Sequence, residues 1–329
     1  ISIAGNGDDG TVGQQSSGGF IIFQTLDQYG VPVANLPVTF AVAGGGGSLQ
    51  PIGATTNSYG IGAAAMILGP NPGTNTYTAT AGSLTASFQA TGIAQPSITP
   101  NGIVNAANYA LQPLAPGSYI SIYGSNLAQA TGSYSTTFLP LALNQVTVSF
   151  DNPNVSVPGR VVFVSPGQVN VQVPWELQGQ ETAQIKVSFG DSSGAVYTWP
   201  IGTYAPAFFE LSPATHAAAA LDEGNNVVTD SNPVVRGHVV QLFANGLGPV
   251  SNQPASGNPA PGGTLAETTT TPVVTIGGAN AEVKFSGLTP GNAGLYQINA
   301  VVPQTGTGSQ PVTISIGGVA GTTSFLAVR

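Results

Sequence analysis

Apolar and polar residues alternate with a period of two along almost the whole chain. The runs Tyr119-Ile120-Ser121-Ile122-Tyr123, Val146-Thr147-Val148-Ser149-Phe150 and Val169-Asn170-Val171-Gln172-Val173 show it, as do Ile185-Lys186-Val187-Ser188-Phe189 and Val312-Thr313-Ile314-Ser315-Ile316. Side chains two apart share one face of a strand, so each run predicts one buried and one wetted side. The residues are β-branched or aromatic, and Gly, Pro, Asn or Asp bounds each run. Helical periodicity is nearly absent; the Ala-rich stretch 214–221 is the one place that reads as helix or strand alike. Short strands at this spacing predict an all-β chain of sandwiches.

Two breaks in the alternation divide the chain. Gln95-Pro96-Ser97-Ile98-Thr99-Pro100 has the prolines of a short extended linker. Tyr204-Ala205-Pro206-Ala207-Phe208-Phe209 carries aromatics that predict a packed joint. The expected domains are therefore 1–95, 96–205 and 206–329. The last two repeat one another. Pro116-Gly117-Ser118-Tyr119-Ile120-Ser121-Ile122-Tyr123-Gly124-Ser125-Asn126-Leu127 lines up with Arg236-Gly237-His238-Val239-Val240-Gln241-Leu242-Phe243-Ala244-Asn245-Gly246-Leu247. The stretch 163–174 matches 285–303 with a few residues inserted, and Ile185-Lys186-Val187-Ser188-Phe189-Gly190 matches Val312-Thr313-Ile314-Ser315-Ile316-Gly317. A period of about 120 residues is a domain array, well above that of a solenoid.

The turns have a physical reading. Asp27-Gln28-Tyr29-Gly30 predicts an Asp-initiated turn closed by Gly, and Asp222-Glu223-Gly224-Asn225 a hairpin tip. Pro174 and Pro303 each follow an apolar run and would end a strand.

Residues 1–93 also resemble a bacterial Ig-like domain of the invasin and intimin type (Big-1). The resemblance rests on Asp27-Gln28-Tyr29-Gly30-Val31-Pro32-Val33, Leu36-Pro37-Val38-Thr39-Phe40, the Gly-rich turn 44–47 and Thr55-Thr56-Asn57-Ser58-Tyr59-Gly60, then Asn75-Thr76-Tyr77-Thr78-Ala79-Thr80 and Phe88-Gln89-Ala90-Thr91-Gly92. From about residue 101 onward the chain resembles the C-terminal module that recurs in large secreted proteins of soil acidobacteria. The cues are Val104-Asn105-Ala106-Ala107-Asn108, Ser165-Pro166-Gly167-Gln168-Val169-Asn170, Gly246-Leu247-Gly248-Pro249 and Gly294-Leu295-Tyr296-Gln297-Ile298-Asn299. These resemblances imply three tandem Ig-like or TIG-like β-sandwich domains, secretion, and a structural or adhesive setting without a defined activity.

Charge narrows the classes further. Only 5% of the 329 residues are charged, with five Lys+Arg against thirteen Asp+Glu. No basic stripe exists to neutralise phosphates, which argues against nucleic-acid binding. No apolar run approaches the length of a membrane helix, so no membrane insertion is expected. With no Cys, disulfides and thiolate chemistry are excluded. Mean hydropathy of +0.20 argues against disorder. The opening Ile1-Ser2-Ile3 lacks Met and a basic leader, as a mature form or an excised piece would. A surface this poor in charge repels its copies weakly, which predicts association into a filament, stalk or lattice. Ile1, Ser2 and Ile3 form a candidate strand for a neighbouring subunit's open edge, as does the C-terminal 324–328; the competing reading is that both complete their own sheets, and it is favoured for the C-terminus.

Candidate chemistry is sparse. The pairs Asp8-Asp9 and Asp222-Glu223 lie among Gly and Asn and read as solvated turn tips. No cofactor is expected. Asn6-Gly7-Asp8-Asp9-Gly10 has the oxygen donors of a weak calcium site but neither the length nor the terminal Glu of an EF-hand loop. His216 and His238 are the only imidazoles and fall in different elements. His238 falls in an alternating strand where the first copy has Tyr119, which favours packing over general-base work. With only these two His to serve as a base, an enzyme is not expected. Trp175, Tyr197 and Trp199 are a candidate sugar platform if the run 196–199 is an edge strand; the alternative buries these rings in a core or joint. The expectation is thus a non-enzymatic extracellular structural or adhesive protein whose partners are its own copies. Surface glycans and other cell-surface proteins are the further partners considered. A carbohydrate-binding module is the alternative, followed by a non-catalytic part of a secreted hydrolase.

Overall fold

A computed structural model describes residues 1–329, nearly all in strands and turns. Two compact units result, one formed by Ile1–Pro96 with Ser188–Gly194, the other by Ser97–Val187 with Ala195–Arg329.

In the first unit the alternating sequence makes eight strands: β1 (Ser2–Ala4), β2 (Asp8–Thr11), β3 (Gln15–Gln24), β4 (Val38–Gly44), β5 (Ser48–Ile52), β6 (Ile61–Ile67), β7 (Gly73–Ala81) and β8 (Leu84–Ile93). They form two sheets, ordered β1-β3-β6-β5 and β2-β8-β7-β4. The inward positions meet in a core of Ile21, Phe23, Met66, Leu68, Tyr77 and Phe88. The buried Tyr77 hydroxyl donates to Ile67 O at 2.8 Å, tying β7 of one sheet to β6 of the other. The Asp27 turn forms as expected: its Oδ1 accepts from the N–H groups of Tyr29 and Val31. Asn57 builds the same turn with Tyr59 and Ile61. The Gly-rich turn has a steric reason, since a Cβ on Gly69 would lie 1.8 Å from Gly45 O.

Asp8-Asp9 corrects the turn-tip expectation. These residues open β2, which runs parallel to β8 in the register Asp8↔Ala90 and Asp9↔Thr91. Backbone pairing to a ready-made strand overrides the low strand propensity of Asp and Gly.

The second and third sandwiches follow within the other unit. Of the second sandwich, one sheet orders Gly132–Ser133, Arg160–Ser165, Gln168–Gln172, Tyr119–Ser125 and Ser97–Asn105. The facing sheet is built on Val146–Asp151 and Thr182–Phe189, with Tyr197–Pro200 on its margin. Ser97–Asn105 thus draws part of the expected linker into a strand, with a register shift against Ile122 and Gly124. In the third sandwich one long strand, Ala279–Leu288, serves both faces. Its start pairs with Val273–Ile276 and its remainder with Tyr296–Val301, so an eleven-stranded sheet folds over its own core. The ambiguous stretch 214–221 resolves into the short strands Ala217–Ala218 and Ala220–Leu221. A single 3-10 turn, Trp175–Leu177, follows Pro174.

The internal repeat holds residue by residue. Ile120↔Val171, Ser121↔Asn170 and Ile122↔Val169 in one copy match Val240↔Ala300, Gln241↔Asn299 and Leu242↔Ile298 in the other. Both copies shift register at one place, between Val161 and Phe163 and between Val283 and Phe285. Gln168 bonds Asn170, as Gln297 bonds Asn299. This register makes Ser118, not Tyr119, the counterpart of His238 in the first copy: the Val173 N–H bonds Ser118 O and the Val302 N–H bonds His238 O. The chain is therefore all-β, with three tandem Ig-like sandwiches of which the last two are related copies.

Candidate functional site

The joint between the two repeats is built from polar side chains that neither copy needs for its own sheets. Asn245 ends the strand Val239–Asn245 and is fully buried. Its Nδ2 donates to Asn105 Oδ1 at 2.9 Å and to Tyr119 O at 2.8 Å, while its Oδ1 accepts from the Tyr119 N–H at 2.9 Å. Asn105 Nδ2 in turn donates to Ala205 O, inside the segment that connects the copies. The Tyr119 hydroxyl donates to Ala293 O, and burial pushes this phenol's pKa upward.

A second group of bonds lies beside the first. The Gly257 N–H donates to Gln172 Oε1 at 2.8 Å, and the Leu139 N–H to Gly257 O at 2.9 Å. Ser256 accepts from the Trp175 N–H at 2.9 Å and donates to Glu176 Oε2 at 2.6 Å. The connecting segment is packed, as its aromatics predicted. Phe208 is fully buried and the Tyr204 hydroxyl meets Thr270 Oγ1 at 2.9 Å. A cleft of about 380 Å³ lined by Pro116, Gln178, Gln180, Thr203 and Pro249 opens at the joint without any ionisable side chain on its walls.

Trp175 leaves the expected sugar platform. Its ring is 4% exposed and packs with the core of the third sandwich. Gly117 makes room for it: a Cβ there would lie 2.1 Å from the ring carbon Cη2. This is the joint that the alternative reading of these aromatics described. Tyr197 and Trp199 do share one face of an edge strand, Tyr197–Pro200, which pairs with Thr182–Phe189. Both are half-buried, and their polar tips are tied down, Tyr197 to Ile98 O and Trp199 to Gln112 O.

The remaining candidates fall elsewhere. Ile1, Ser2 and Ile3 lie in or beside β1, which pairs with β3 at Ser2↔Phe23, so the strand expected to reach a neighbour is used in its own sheet. The C-terminal Ser324–Val328 likewise pairs with Gly308–Ile316. Of the oxygen donors expected for calcium, Asp8 Oδ2 accepts from Ser16 and from the Gly18 N–H, and Asn6 Oδ1 accepts from the Gln89 N–H. Asp222-Glu223 is a hairpin tip, as expected, closed by Leu221↔Val227. Each imidazole has a carboxylate beside it: His216 Nδ1 lies 2.9 Å from Glu210 and His238 Nδ1 2.8 Å from Glu223. No helix is long and apolar enough to cross a membrane.

No family model matches the chain, and no curated protein does. Several solved structures are similar to it. A C-terminal 282-residue fragment of intimin in complex with the intimin-binding domain of its translocated receptor has 15% identity and a TM-score of 0.37 over 68% of this chain. The chain spans 66% of that fragment's length. The Escherichia coli adhesin FdeC has 14% identity and a TM-score of 0.27, with 98% of this chain and 95% of that one covered. A Bacteroides ovatus protein, SGBP-B, in complex with a mixed-linkage heptasaccharide, has 12% identity and a TM-score of 0.30 over 99% of this chain and 69% of its own.

Proposed function

We propose that the chain is a non-enzymatic extracellular structural or adhesive protein that associates with copies of itself. The joint between the repeats is the observation that carries this reading. A connection made of buried side-chain bonds to the peptide backbone resists hinging, because bending would strand polar groups away from water. Two sandwiches joined in this way act as one stiff element, suited to a stalk, filament or surface lattice. The division into 1–95, 96–205 and 206–329 belongs to this proposal, with the last two domains as the stiff part. Sedimentation and electron microscopy of the purified chain test it. Regular assemblies are expected, and a monodisperse monomer at high concentration refutes assembly while leaving a spacer role within a longer adhesin.

A carbohydrate-binding surface is the second reading, favoured by one observation. Tyr197 and Trp199 lie two residues apart on one face of an edge strand, and both residues are half-buried. A glycan-array signal lost in Trp199→Ala with the fold intact supports it; no signal from the parent chain removes it.

A further inference from the structure

We propose, on the reading that the chain self-associates, that β4 is the contact: two copies pair β4 against β4 about a twofold axis through Ala41. β4 is the last strand of its sheet, bonded on one side to β7 in the register Thr39↔Thr80, Phe40↔Ala79, Ala41↔Thr78 and Val42↔Tyr77. Val38 turns its N–H the other way, to Ala54 O at 2.9 Å. In an antiparallel ladder alternate residues direct both backbone groups to the same side. Phe40 and Val42 therefore present their N–H and C=O groups outward, beyond the point where the segment carrying Ala54 covers the edge.

The edge has none of the usual protections. Between Val38 and Gly44 there is no charge and no proline, and the one irregularity falls after Val42, at its far end. Uncharged open edges of this length are templates for a further strand. The unit formed mainly by Ile1–Pro96 contains no Lys, Arg or His within that range. Its acids there are Asp8, Asp9 and Asp27, and the first two lie on β2, at the opposite edge of the same sheet. No charge on this sheet therefore opposes a second copy approaching β4.

The occupant follows from self-complementarity. Centred on Ala41, an antiparallel β4 pair sets Phe40 opposite Val42 of the second copy, and Val42 opposite its Phe40. All four are outward-directed, so each such pair exchanges both backbone bonds. Phe40 and Val42 also share the inward face, where Phe40 packs against Phe23 with ring centroids 6.0 Å apart and Val42 is still 40% exposed. Pairing would lay each valine beside the other copy's phenylalanine and cover both. The order β2-β8-β7-β4 would then continue through the second copy's β4 as one isologous eight-stranded sheet.

Ala41 makes the proposal testable, because it is exposed on the outer face and would directly oppose Ala41 of the second copy in a non-hydrogen-bonded pair, with Cα atoms about 4.5 Å apart. The full chain is expected to sediment as a dimer of its 32.8 kDa mass, or as a larger assembly containing that dimer. Ala41→Lys alone and Ala41→Glu alone should each weaken the contact at least about tenfold through like-charge juxtaposition, with unchanged circular dichroism and thermal midpoint. Mixing the two variants should restore it. Association that persists unchanged in both single variants, or a mixture no stronger than either alone, overturns the β4 assignment and leaves self-association standing. A parent chain that stays monomeric at its highest soluble concentration overturns both.

Discussion

Replacing Asn245 by alanine isolates the contribution of the joint. The substitution removes three hydrogen bonds, those to Asn105 Oδ1, Tyr119 O and the Tyr119 N–H. The first two acceptors keep other donors, the Ala107 N–H on Asn105 Oδ1 and the Ala106 N–H on Tyr119 O. Each of these losses costs about 0.5–1 kcal/mol. The Tyr119 N–H has no second acceptor, and leaving it unpaired adds about 1–3 kcal/mol. The total is about 3 kcal/mol, which for a unit of this size lowers its thermal midpoint by about 6–12 °C. Both tryptophans of the chain, Trp175 and Trp199, lie in the unit that contains the joint. Urea unfolding followed by tryptophan fluorescence therefore reports that unit alone, while far-ultraviolet circular dichroism follows both. The fluorescence transition should move to lower urea in Asn245→Ala. The dichroism component of the other unit should stay in place. A change below about 0.5 kcal/mol, the size of an ordinary surface substitution, would refute the claim that this network stiffens the connection.

Two further outcomes are expected. Gly117→Ala should cost about 2–4 kcal/mol, because its φ of +85° and the Trp175 ring 2.1 Å from the new Cβ both oppose it. The corresponding Gly237→Ala should cost only the backbone strain of about 1–2 kcal/mol, since the nearest atom to the new Cβ, Gln304 Nε2, lies 4.0 Å away; equal losses measured by urea titration would show that the ring contact is unimportant. Hydrogen bonds from the Asn226 N–H to Asp222 and from the Val239 N–H to Glu223 hold both carboxyl groups below their ordinary pKa values of 3.8 and 4.5. A depressed folded pKa stabilises above the unfolded value and loses that stabilisation as pH falls through the folded one. The urea midpoint of the tryptophan-containing unit should decline below about pH 4.5, and Glu223→Gln should flatten that slope.

Much of the fold was legible because sandwich strands advertise themselves by a period of two, and because the repeat supplies two readings of one pattern. The Asp27 and Asp222 turns were legible for a local reason: the carboxylate that starts each one bonds amides two and four residues onward. β2 was not, since its pairing with β8 depends on residues some eighty positions away and not on Asp8-Asp9-Gly10-Thr11 itself. The joint was the larger omission. Asn105, Gln172 and Asn245 look like surface amides in the sequence, and their burial is a property of two domains meeting. One signal was present. Gln172 stands where the second copy has Val301, and a polar residue at a position that the repeat also fills with valine marks a place where the copies face different surroundings. Trp175 was seen as an aromatic at a strand end, but only the space above Gly117 decides that its ring turns inward.

The bonds across the joint join amides, hydroxyls and peptide groups; among those described, Glu176 supplies the one carboxylate. Mobile ions screen charges and leave buried dipoles nearly untouched. A stiffness founded on such contacts should be the same in rainwater and in brine.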